Sequence, residues 1–149
     1  MLNTKVYQRI LGIDYGSVRV GLSISDPLGL IAQPIQAFKN DDSLFTNIGQ
    51  ITSSENVVLI VVGMPFNLKG QKAQKAEEVQ KFIERLRKEL GIEILTWDER
   101  FTTTIAGKTM LAMGTKRKER QKKDGRIDSM AAAVMLQGYL DCKKNTYSV

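Results

Sequence analysis

The chain has 149 residues, no histidine and one cysteine. The missing histidine removes Ser-His and Cys-His nucleophilic catalysis, an imidazole general base and any His-ligated zinc site. Chemistry near neutral pH is then left to carboxylates, lysine, tyrosine or a hard cation held by oxygen. Carboxylates with Mg²⁺ or Mn²⁺ are the commonest solution within that restriction. Cys142, standing alone, excludes an internal disulfide and suits a reducing cytoplasm. Long apolar runs are also missing. The longest, VVLIVV at 57–62, is far short of the roughly 20 residues that span a bilayer. The N-terminal MLNTKVYQRILGID has no apolar core segment of the secretory type and no small-residue cleavage site, so a cytoplasmic protein without a membrane partner is expected. No internal repeat or low-complexity tract occurs. The length suits a single domain, 1–149, that buries its own core.

What is present is an uneven positive charge. Residues 115–126, TKRKERQKKDGR, hold Lys116, Arg117, Lys118, Arg120, Lys122, Lys123 and Arg126 against Glu119 and Asp124. Seven minus two is +5, nearly all of the chain's +6. Such a run is either a solvated face or a contact for phosphates, and its concentration in one segment favours nucleic acid.

The pattern of elements predicts α/β architecture. Residues 8–14 read as a strand, and 18–25 as a second, with Val18, Val20, Leu22 and Ile24 on one face and Arg19, Gly21, Ser23 and Ser25 on the other. A tight turn at Gly16 joins them as a hairpin. Residues 30–38 suggest a third strand in which Pro34 marks an edge or a bulge. Asp41, Asp42 and Ser43 offer caps for a helix to about 53. The unbroken apolar run 56–65 fits a strand buried on both faces of a parallel sheet. An amphipathic helix over 71–90 stops before Gly91, a strand follows at 92–97, a helix from Thr103 or Thr104 to Met113, and a last helix over 127–141. A mixed five-stranded sheet with helices on its faces is the natural packing.

Acidic residues stand where elements begin or end. Asp14 closes the first strand, Asp98 and Glu99 the last, and Asp128 opens the final helix. Each has an ordinary explanation: a helix-dipole partner for Asp128, a surface turn with a local ion pair for Asp98-Glu99-Arg100. Asp14 is harder to explain that way, because a carboxylate at the end of an apolar strand costs free energy unless paired. A cluster of carboxylates around a cation accounts for all of them together. Neighbouring strand residues face opposite ways, so only one of Asp98 and Glu99 is expected to join Asp14.

GIDYGSVRVGLSISD, VVGMPFNLKG, WDERFTT and GRIDSMAAAVML stand in the order and spacing of the YqgF/RuvX family. The chain resembles that family from about residue 8 to residue 141. The resemblance implies a ribonuclease H-like, three-layer fold with helices on both faces of the sheet. It also implies a nuclease, acting on the 5′ end of precursor 16S ribosomal RNA or, in the older proposal, on Holliday junctions. Its acidic site falls on Asp14, Glu99 and Asp128, which would hold one or two Mg²⁺ (or Mn²⁺) ions.

Beside these, Gly16, Ser17, Gly21 and Ser23 are small enough to admit a phosphate backbone. Arg19, Asn67, Lys69, Arg100, Thr102, Thr103 and the basic run from Lys116 to Arg126 are candidate nucleic-acid contacts. Two further readings stand against a nuclease. GIDYGS is similar to the first phosphate loop of actin-like ATPases, although 149 residues supply only one of the two domains those proteins close on nucleotide. A non-catalytic nucleic-acid-binding module is the other. A resolvase cutting symmetric strands requires a homodimer, whereas an RNA-trimming enzyme does not, so a monomer and a homodimer both stay open.

Overall fold

The computed structural model describes residues 8–65, 70–99 and 125–147. Its elements, in chain order, are β1 (Arg9–Asp14), β2 (Arg19–Ser25), β3 (Ala32–Lys39), α1 (Leu44–Ser54), β4 (Val57–Met64), α2 (Gln71–Leu90), β5 (Glu93–Asp98) and a final helix, α3 (Arg126–Tyr147). The strands form one five-stranded sheet in the order β3-β2-β1-β4-β5. β1 pairs antiparallel with β2 and parallel with β4, which is in turn parallel to β5.

Alternation along the central strands feeds two cores. Leu11, Ile13, Val20, Leu22, Ile60 and Val62 pack towards α1 and α2. On the opposite face, Ile10, Leu59 and Val61 meet Met135, Leu136 and Leu140 of α3. That division explains the unbroken apolar run of β4, whose residues serve both faces in turn. Sheet and helices thus make the expected three layers.

Beyond Arg19, the α3 face of β2 carries only small residues, and close approach is the reason. A Cβ on Gly21 would collide with the backbone of Asp128, and one on Gly12 would come within 2.8 Å of the Leu136 Cβ. Ser23 Oγ, fully buried, donates to the Ala132 carbonyl at 2.8 Å, and Ser25 Oγ accepts from the Ile10 amide at 2.9 Å. Gly21 and Ser23, expected to admit phosphate, are therefore covered by α3.

Several boundaries differ from the sequence expectation. β2 starts at Arg19, and Val18 lies in the turn, 68% exposed. β3 starts at Ala32 because Asp26 Oδ1 accepts from the amides of Leu30 and Ile31, at 2.6 and 2.8 Å, and holds them in a loop. Pro34 satisfies both of its readings: β3 is an edge strand, and the β2–β3 register shifts between Leu22 and Ser23, where Pro34 pairs. α3 runs on to Tyr147, beyond the expected 141. The helix expected from Thr103 or Thr104 to Met113 lies outside the described residues. Among the described residues, no helix is long and apolar enough to cross a membrane.

Candidate active site

β1 delivers Asp14 to the carboxyl end of the sheet, where it pairs with Gly21 of β2. By alternation from Ile10 and Gly12 its side chain belongs to the α3 face. The turn after it is braced. Asn40 Nδ2 donates to the Gly16 carbonyl at 2.9 Å, and the Asn40 amide donates to the Val18 carbonyl at 2.9 Å. A Cβ on Gly16 would collide with the Arg19 carbonyl, so this turn requires glycine.

Glu99 follows directly on β5 and leans over β4. A Cβ built on Gly63 would lie 3.1 Å from Glu99 Oε1 and 3.4 Å from the Met135 side chain, which puts the carboxylate on the α3 face too. Of Asp98 and Glu99, it is Glu99 whose negative charge acts on Asp14. Asp128 comes from the first turn of α3, brought in by the contact of its backbone with Gly21. Its Oδ2 lies 3.5 Å from Arg19 Nε, at the start of β2 on the same face.

These positions leave a mark on Asp14. Burial, first, pushes its carboxyl up from 3.8 to about 6; the positive charge of Lys75 opposes this, and the negative charges of Glu99 and Asp128 add to it. Strands β1 and β5 and helix α3, far apart in sequence, thus share one electrostatic site. Among the described residues, no three acidic, cysteine or histidine side chains are gathered into a ready-made metal ligand set, and Asp128 is turned to Arg19. The donor chemistry nevertheless fits a hard divalent cation. All three groups offer carboxylate oxygen, and a cation among them would relieve the repulsion that Asp14 registers.

Of the sequence-predicted contacts, Arg19 is engaged with Asp128, and Arg126 is the exposed first residue of α3. Asn67, Lys69, Arg100, Thr102, Thr103, Lys116, Arg117, Lys118, Arg120, Lys122 and Lys123 lie outside the described residues. Lys75 is a site residue that sequence reasoning misses. It stands in α2 as one of several lysines of an amphipathic helix, and nothing in QKAQKAEEV separates it from the solvated ones.

The fold is that of the ribonuclease H-like resolvases of the RuvC type. Over 93% of this chain and 97% of the other, it superposes on T. thermophilus RuvC in complex with Holliday junction substrate, with a TM-score of 0.58 at 16% identity. On the fowlpox virus Holliday junction resolvase the TM-score is 0.51 at 13% identity, over 90% and 99% of the two chains. Sequence relatives are nearer. A protein of Ruminiclostridium cellulolyticum is 42% identical over 89% of this chain and 94% of its own length, and one of Sulfurihydrogenibium sp. is 40% identical over 89% and 90%. Both carry the name "Putative pre-16S rRNA nuclease". The model of the RuvX family, described as Holliday junction resolvase, matches residues 8–142. The chain belongs to this family and is a nuclease.

Proposed function

We propose that the protein is a metal-dependent endonuclease that processes the 5′ end of precursor 16S ribosomal RNA, with Asp14, Glu99 and Asp128 as its catalytic carboxylates. The observation that carries this reading is the shared field of three acids from three separate elements at one end of the sheet. The names of the relatives favour RNA as the substrate; the family's own description favours a four-way DNA junction.

In the reaction, water attacks the scissile phosphorus in line and the bridging P–O bond breaks. Asp14, Glu99 and Asp128 would hold one or two Mg²⁺ or Mn²⁺ ions, which supply a water of lowered pKa and charge compensation for the leaving oxygen. The protein's part is positioning. β1 and its braced turn fix Asp14, Gly63 gives Glu99 room to lie over the sheet, and Arg19 holds Asp128 in its orientation. Asp128 is turned to the half-buried Arg19, so this pair would have to open for Asp128 to join a cation with Asp14 and Glu99.

The test sets two substrates side by side with Mg²⁺: an RNA carrying the 5′ precursor end of 16S ribosomal RNA, and a four-way DNA junction. Cleavage of the RNA alone, lost in Asp14→Asn, is the expected result. Symmetric cuts in the junction would instead make the protein a resolvase and require a dimer. Binding without cleavage of either substrate, at any divalent metal, would remove the catalytic reading.

A further inference from the structure

On the α2 side of Asp14 a surface groove runs away from the carboxylates. Its first part, about 450 Å³, is lined by Gly16 and Ser17 of the turn after Asp14 and by Gln74, Lys75 and Glu78 of α2. Its second part, about 260 Å³, shares Glu78 and continues past Tyr15, Asn40 and Lys81 to Arg85. The two cavities are neighbours that meet at Glu78, between the braced turn and the helix. Lys81 stands six positions beyond Lys75 on α2, a rise of about 9 Å, and each lysine lines one of the two cavities.

The cations of this groove differ in what already holds them. Arg85 is committed: its guanidinium lies 4.2 Å from the centroid of the Phe45 ring, and its Nε pairs with Glu89 at 3.2 Å. Among the described residues, neither Lys75 nor Lys81 takes part in an ion pair. Lys75 is half-buried beside the turn, and its charge reaches Asp14. Glu78 is the acid that faces the groove, leaving one negative charge against two uncommitted positive ones.

We propose that this groove is a backbone track for the nucleic-acid strand flanking the cleavage site, in which Lys75 contacts the phosphate next to the reacting one and Lys81 a phosphate further along. The proposal rests on Asp14, Glu99 and Asp128 being the reaction centre, since that fixes which phosphate lies nearest Lys75. It adds a contact surface on the face of the sheet opposite α3, separate from Arg126 at the start of that helix. Lys75 is a positioning residue. The small Gly16 and Ser17 permit close approach of a backbone, and an ammonium point charge suits phosphate without reading sequence.

The test measures binding, so that it stands apart from cleavage. The affinity of the full chain carrying Asp14→Asn for a fluorescent single-stranded RNA is followed against salt concentration, and compared after adding Lys75→Met and Lys81→Met. Each phosphate no longer neutralised should lower the magnitude of the log-log slope by about 0.7. The double variant is expected to lose about 1.4 in slope, and Lys75→Arg with Lys81→Arg to restore it. Lys88→Met removes an exposed lysine from the last turn of α2, outside the groove, and should leave the slope unchanged. An unchanged slope in the double variant overturns the track, as does an equal loss in Lys88→Met, which would mean a general field only. If the wild-type chain cleaves neither RNA nor junction but the slope falls as stated, the groove stands as a nucleic-acid backbone contact, while its assignment to a strand flanking a cleavage site falls with the nuclease mechanism.

Discussion

Asp14 embodies a conflict between folding and function. Its carboxyl titrates at about 6 in the folded chain, against 3.8 ordinarily, so between those values the folded state holds a proton that the unfolded state has released. Stability without metal therefore falls as pH rises through this window, by about 3 kcal/mol in all. Asp14→Asn removes that penalty. The variant is expected to melt at higher temperature than wild type at pH 7 in chelator, with the gap closing below pH 4, and to be inactive. Equal melting temperatures at pH 7 would mean that burial of Asp14 is compensated by something other than a cation. Glu99 supplies the complementary case. Gly63→Ala would press on the flexible end of Glu99 at 3.1 Å, so it should cost little stability yet displace the carboxylate. The shift needed is a few tenths of an ångström, so cleavage should fall by less than the roughly 100-fold that a 1 Å misplacement costs, and the check is a cleavage rate measured beside a denaturation midpoint. Lys75, by contrast, leaves no trace in the sequence. A lysine on an amphipathic helix looks the same whether it faces solvent or a buried carboxylate such as Asp14, and only the packing of α2 against the sheet distinguishes the two.

At the scale of elements, the contact between β2 and α3 carries the site. Gly21 lies against the backbone of Asp128 and Ser23 bonds to Ala132, so the glycine and serine face of β2 determines where the first turn of α3 rests. Gly21→Ala should therefore do double damage. It forces the helix outward, at a cost of roughly 1–3 kcal/mol for overpacking, and moves Asp128 away from Asp14. A urea midpoint and a cleavage rate that both fall would bear this out, whereas normal activity would show that Asp128 is placed by something other than this contact. Much of the element layout is legible in the sequence. The β-branched run of β4 announces burial on both faces, Gly91 terminates α2 with φ +63, and Pro34 marks the edge. The role of Gly21 and Ser23 is not, because small residues near a carboxylate read equally well as room for phosphate or room for a helix. The start of β3 is hidden too, since Leu30 and Ile31 look like strand residues until Asp26 is seen to hold their amides.

For the whole molecule, charge distribution and topology act together. The sheet order gathers β1, β4 and β5 side by side, which is how Asp14 and Glu99, 85 positions apart in sequence, come to one end of it. A net charge of +6, with +5 of it in residues 115–126, adds a long-range attraction for polyanions. Replacing Lys116, Arg117 and Lys118 with alanine should weaken RNA binding several-fold at low salt and flatten its salt dependence, by about 0.7 in slope for each phosphate left without a cation; a fluorescence titration at three salt concentrations decides it. The three acidic positions are readable from the sequence because each marks the boundary of an element, but their convergence depends on strand order and on the close seat of α3. The central claim is that Asp14, Glu99 and Asp128 form one cation-binding centre. Calorimetric titration of Mn²⁺ into wild type, Asp14→Asn, Glu99→Gln and Asp128→Asn tests it most directly. Saturable binding in the wild type, abolished or weakened at least tenfold in each variant, is the predicted result. Undiminished Mn²⁺ binding in the three variants would contradict it.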